Sequence, residues 1–117
     1  MNKTNFNNFL KNFENQSNKW IYTGEEPVIL DFFADWCVPC KNLEPAINDL
    51  SEKYKNVKFY KVNIEEESKM VEMFSIKSIP TLIFLNKNLE PIIETGSISK
   101  VKMENNIKKI INEPVLV

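Results

Sequence analysis

The sequence predicts an α/β domain with a central mixed β-sheet of about five strands, flanked on both faces by about four helices. Three observations predict it. Residues 28–34, Val-Ile-Leu-Asp-Phe-Phe-Ala, are apolar on both alternating faces, the pattern of a central strand covered on both sides. Shortly afterwards Leu43, Ala46, Ile47, Leu50 and Tyr54 recur at helical spacing. Strand-like and helix-like segments then alternate along the rest of the chain, with no repeat and no long linker.

Each element has its own signal. Phe6, Phe9, Leu10 and Phe13 fall at i, i+3, i+4 and i+7, which predicts a one-faced helix capped by Thr4. Lys19–Tyr22 reads as a short strand before a turn at Gly24-Glu25-Glu26-Pro27. The strand at 28–34 leads into a helix over residues 38–54, which Pro45 should kink by removing an N–H. Residues 57–63 form the next strand. Residues 68–74 form a helix that turns Met70, Val71 and Phe74 to the core. After Ser78-Ile79-Pro80 come a strand at Thr81–Leu85, a turn around Asn86-Lys87-Asn88 and a strand near Ile92–Thr95. Ser99 caps the last helix, with Met103, Ile107, Ile110 and Ile111 inward.

Composition sets the bounds. A chain of 117 residues that is 43% hydrophobic suits one domain, residues 1–117, with a genuine core. Its net charge is −1, from fifteen lysines, no arginine and sixteen acidic residues spread along the sequence. No basic stripe is available for phosphates, and without arginine there is no bidentate phosphate recognition, so nucleic acid is excluded as a partner. The first residues carry no continuous apolar stretch with a small-residue cleavage site, and no run reaches the length of a membrane span. The expectation is a cytoplasmic protein that does not engage a membrane.

The chemistry lies in Trp36-Cys37-Val38-Pro39-Cys40-Lys41, at the junction of the apolar strand and the long helix. Two cysteines separated by two residues at a helix start can close a small disulfide ring. The first sulfur is expected to face solvent over the positive helix end, which favours its thiolate. A CxxC near a βαβ pattern reads as a redox motif. A structural zinc site needs about four ligands, and this chain offers two cysteines and no histidine. A purely structural disulfide with so short a loop would remove little entropy from the unfolded chain. Asp31, with apolar neighbours on both faces of its strand, should be desolvated and its pKa raised, which makes it a candidate proton acceptor for Cys40, directly or through water, unless it is a partly solvated strand acid with no role.

At these residues the sequence resembles the thioredoxin family, over roughly residues 20–111. The family's strand and motif pattern appears as Asp31-Phe32-Phe33-Ala34-Asp35-Trp36-Cys37-Val38-Pro39-Cys40-Lys41. The helix-kinking proline matches Pro45, and the strand end matches Lys61-Val62-Asn63-Ile64-Glu65. The segment whose proline is cis matches Ile79-Pro80-Thr81, and the glycine before the last helix matches Gly96. Two positions depart from the pattern. Val38 stands where the commonest motif has Gly, and Asn88, which tolerates the left-handed conformation, replaces a hairpin glycine.

The resemblance implies a thioredoxin fold and a thiol–disulfide oxidoreductase that reduces protein disulfides without a bound cofactor or metal. Cys37 is then the nucleophile and Cys40 the resolving thiol. Lys61 aligns with a lysine near the Asp31 carboxylate and would tune it, unless it is an ordinary surface lysine. Trp36 would lend flat apolar contact surface, unless it simply packs in the core. With Val38, Pro39, Ile79, a cis Pro80 and Gly96 it would form the substrate surface, where Ile79 offers its backbone to an extended peptide. The implied partners of this monomer are oxidised proteins and a flavin-containing, NADPH-dependent thioredoxin reductase. Two rivals stand beside this reading: a scaffold subunit with an incidental dithiol, and a more oxidising exchanger. Oxidant relatives often place His before the second Cys, where this chain has Pro39.

Overall fold

The computed structural model of the protein describes residues 6–17, 19–87 and 89–112. The expected cap at Thr4 and turn residue Asn88 lie outside the described residues. In chain order the elements are α1 (Phe6–Phe9), a 3-10 turn (Leu10–Asn12), β1 (Phe13–Gln16), β2 (Lys19–Tyr22), β3 (Val28–Phe33) and α2 (Val38–Lys53). Then follow β4 (Lys58–Asn63), α3 (Ser68–Met73), β5 (Thr81–Leu85), β6 (Ile92–Thr95) and α4 (Lys100–Ile110).

The central sheet has the order β4-β3-β5-β6. β4 runs parallel to β3, while β5 is antiparallel to both β3 and β6, so the sheet is mixed and β3 lies inside it. Alternation along the strands divides the core between two faces. Val28, Leu30 and Phe32 meet Ile83, Leu85 and Val62 on the face covered by α1 and Met70 of α3. Ile29 joins Leu82 and Phe84 on the other face, under Leu43, Ile47 and Leu50 of α2 and Met103, Ile107 and Ile110 of α4. Asp31 shares this second face.

The N-terminal segment departs from its periodicity. The spacing of Phe6, Phe9, Leu10 and Phe13 predicts one helix, yet helix stops at Phe9 and Phe13 begins a strand. Asparagine-rich sequence has weak helix propensity, and so short a helix cannot sustain itself. Instead β1 pairs with β2 in a separate two-stranded ribbon, Phe13 opposite Tyr22. The strand expected at Lys19–Tyr22 therefore forms, but in this ribbon, and the central sheet has four strands. Phe13 still meets Phe9, Tyr22 and Phe74, with ring centres 5.3, 5.3 and 5.4 Å away. The Tyr22 hydroxyl donates to Glu26 O at 2.6 Å across the following turn. A side chain at Gly24 would collide with that tyrosine.

The remaining elements follow their signals. Ser99 caps α4, its hydroxyl accepting from Lys102 N at 3.1 Å. Asn86 secures the β5–β6 connection by donating from Nδ2 to Ile110 O at 2.6 Å. α2 and α4 are clasped by Glu104, which accepts from Tyr54 Oη and Lys53 Nζ, each at 2.6 Å. The Lys53 and Tyr54 bonds hold the Glu104 carboxyl below its usual range.

Candidate active site

β3 delivers the chain to the site from the interior of the sheet. Where it ends, Cys37 N donates to Ala34 O at 3.1 Å and closes the turn that carries Asp35 and Trp36. Cys37 then serves as the N-cap of α2. Its backbone is extended, with φ −87° and ψ 104°, and its Sγ accepts from Cys40 N at 3.2 Å. Pro39 falls in the first helical turn, where a missing N–H costs nothing.

Cys37 and Cys40 are joined as a disulfide, their Cα atoms 5.3 Å apart. The expected exposure of Cys37 is not what the oxidised form shows. Cys37 and Cys40 are 4% and 3% exposed, equally buried. The bonded sulfurs cluster with Ala34, and Phe33, Ile64 and Ile79 pack against that cluster from three segments of the chain. The side chains that do meet solvent are those beside the cysteines: Trp36 at 65%, Val38 at 63%, and Pro39. Trp36 is therefore surface and not core packing.

The Ile79–Pro80 peptide is cis. Ile79 touches the cysteine cluster, and the Pro80 carbonyl accepts from Gly96 N at 2.8 Å. Gly96 has φ +88°, a left-handed conformation that favours glycine, and there is open space where a Cβ would point. The requirement for glycine there is thus one of backbone. The structure brings Trp36, the two cysteines, Ile79, Pro80 and Gly96 into one neighbourhood. Trp36 and Ile79 also line a groove of 330 Å³ with Ile64, Val71, Ile76, Lys77 and Ser78.

Asp31 and Lys61 lie under α2, in a cavity of 200 Å³ that they share with Glu44, Ile47, Asn48, Ser51 and Phe59. Asp31 is 3% exposed, and its Oδ1 has no hydrogen-bond partner. Burial pushes its carboxyl up to about 6; Lys61 pulls it down and Glu44 pushes it up. Lys61 faces Asp31 across the β3–β4 register. Its Nζ lies 2.9 Å from Glu44 Oε1 and 4.4 Å from the centre of the Phe33 ring. Glu44 is the residue that sequence reasoning missed. Its signal was its place four residues after Cys40, on the helix face that continues through Ile47, Asn48 and Ser51.

The arrangement can cycle a dithiol and a disulfide at a helix N-terminus, and the same helix covers a buried carboxyl whose pKa is raised by burial. Among the described residues, no three His, Cys, Asp or Glu side chains converge as a metal-binding group. None of the described helices is long and apolar enough to cross a membrane.

Comparison with known proteins agrees with this geometry. The thioredoxin family model matches residues 1–109. The chain is 37% identical to a thioredoxin of Borreliella burgdorferi over 101 residues, covering 85% of this chain and 86% of that protein. It is 35% identical to a thioredoxin of Buchnera aphidicola over 103 residues, 87% of this chain and 92% of that one. Among solved structures, Fasciola hepatica thioredoxin superposes with a TM-score of 0.66 at 27% identity, covering 73% of this chain and 81% of that chain.

Proposed function

The chain belongs to the thioredoxin family, and on that premise we propose that it reduces protein disulfides, with Cys37 as the attacking sulfur and Cys40 as the resolving one. The observation that carries this division of roles is the placement of Cys37 as N-cap of α2, its sulfur accepting the Cys40 N–H. A thiolate at that position is favoured by the helix end and by the N–H aimed at it.

In the reduced protein the Cys37 thiolate attacks one sulfur of a substrate disulfide. A mixed disulfide forms, and the first substrate sulfur leaves as a thiolate that takes up a proton. Asp31 accepts the proton of Cys40 as that thiol ionises. The Cys40 thiolate then attacks Cys37 Sγ, the bond from Cys37 to the substrate breaks, and the second substrate sulfur departs and is protonated. Two electrons pass from the dithiol to the substrate, and the product is the Cys37–Cys40 ring seen in the structure. The Asp31 carboxyl suits its part because burial raises it to about 6, close to the pH at which it must work. Lys61, on the same cavity wall, tunes it.

Trp36, Val38, Pro39, Ile79, Pro80 and Gly96 make up the substrate surface. The exposure of Trp36 and Val38 and the contact of Ile79 with the cysteine cluster support this. An extended peptide crossing the cluster would pair with the Ile79 backbone. The protein works as a single-domain monomer in the cytoplasm, and a flavin-containing thioredoxin reductase using NADPH restores its dithiol.

Reduction of insulin by dithiothreitol tests the reading. Catalytic amounts of the protein should accelerate insulin precipitation, and Cys37→Ser should not. Equal rates with the two proteins would leave only the scaffold reading.

A further inference from the structure

Lys61 stands between two carboxylates and binds one of them. It lies opposite Asp31 across the strand pair, yet its ammonium is engaged by Glu44 Oε1 at 2.9 Å and rests over the Phe33 ring. Asp31 Oδ1 is left buried and without a partner. An unpaired buried carboxylate oxygen normally draws the nearest cation. Here that cation is already held. Glu44 sits one helical turn beyond Cys40 on α2, so the residue holding the lysine and the resolving thiol share a helix face.

We propose that Glu44 is a positioning residue for thiol–disulfide exchange: it holds Lys61 at the cavity wall and so leaves Asp31 unpaired and able to exchange a proton with Cys40. The inference rests on Asp31 being the proton acceptor in the reaction above. A carboxylate locked to an ammonium stays ionised and is a poor proton carrier near neutral pH. Glu44 opposes that lock in two ways with one sign, by occupying the lysine and by adding negative charge near Asp31. The other groups around the cavity do not compete. Among the described residues that line it, Lys61 of β4 and Glu44 of α2 are the charged side chains facing Asp31, while Asn48 and Ser51 of α2 are neutral. On the opposite side, β5 places the apolar Leu82 beside Asp31.

The test is a carbon-13 titration of the Asp31 carboxyl in the disulfide form, where neither thiol titrates. In Glu44→Gln the Asp31 midpoint should fall by roughly one pH unit, the size expected when a neighbouring charge is rebalanced. In the reduced protein, the matching limb of the pH–rate profile for insulin reduction should move with it. In a Lys61→Met background the same Glu44→Gln change should shift the midpoint by less than half as much. A shift below roughly 0.2 unit in Glu44→Gln overturns the proposal. So does an undiminished shift in the Lys61→Met background, because Glu44 would then act directly and not through the lysine. Asp31→Asn separates the proposal from the reading it rests on. A pH–rate profile unchanged by Asp31→Asn removes Asp31 from the reaction and the proposal with it. A changed profile together with an unmoved Asp31 midpoint in Glu44→Gln overturns the proposal alone.

Discussion

Asp31 combines burial, a titratable charge and an unpaired oxygen, and the fold is less stable for it. Its carboxyl titrates at about 6 in the folded protein against an ordinary value of 3.8. Between those values the native state binds more protons than the unfolded chain. Stability therefore falls as pH rises through that window, and the cost persists above it. At about 1.4 kcal/mol per pH unit, the cost is on the order of 3 kcal/mol. Asp31→Asn should thus be more stable than the parent by roughly 1–3 kcal/mol in urea at pH 8. The gain should vanish below the unfolded carboxylate range, and resolution of mixed disulfides should slow. Equal or lower stability at pH 8 would mean that Asp31 is paired or solvated. The raised carboxyl was legible in the sequence because burial follows from apolar neighbours on a central strand. Two other features were not. The grip of Glu44 on Lys61 depends on how α2 is rotated over the sheet, and the burial of Cys37 depends on Phe33, Ile64 and Ile79 meeting from separate segments.

Among the elements, α2 carries the chemistry at its first turn, and Val38 is where that turn departs from the commonest motif of the family. Valine and glycine supply the same backbone N–H, and Pro39 supplies none in either case. Val38 is largely in solvent, so its side chain packs against little. What changes is backbone freedom, worth no more than about 1 kcal/mol. For a two-electron couple about 1.4 kcal/mol corresponds to roughly 30 mV. Val38→Gly should therefore move the potential by no more than roughly 30 mV in a glutathione-buffer titration, leaving a reductant. A shift several times larger would make Val38 the residue that sets the redox role. The N-terminal segment shows where periodicity runs out. Phe9 and Phe13 are four apart and their rings do meet, as in a helix, but a 3-10 turn brings them together. The pairing of Phe13 with Tyr22 is nine positions away in sequence, beyond the reach of a local pattern.

At the scale of the whole molecule, the sheet gives the site its rigidity and its direction. β3 lies between β4 and β5 with both faces covered, so the cysteine turn at its end and the cis Pro80 before β5 are held on neighbouring strands. The cysteine turn was legible from the apolar run and the motif, because both are local and meet at a strand end, whereas the place of the cis Pro80 beside it came only through the family resemblance of the Ile79-Pro80-Thr81 segment. The detached β1–β2 ribbon was not, because strand pairing is decided by packing. The account as a whole rests on Cys37 attacking and Cys40 resolving, and trapping tests that order most directly. Reduced Cys40→Ser, mixed with an oxidised protein disulfide, should accumulate a mixed disulfide that peptide mass mapping places on Cys37, while Cys37→Ser should accumulate little or none. Accumulation on Cys40 in Cys37→Ser, with no adduct on Cys37 in Cys40→Ser, would contradict the account.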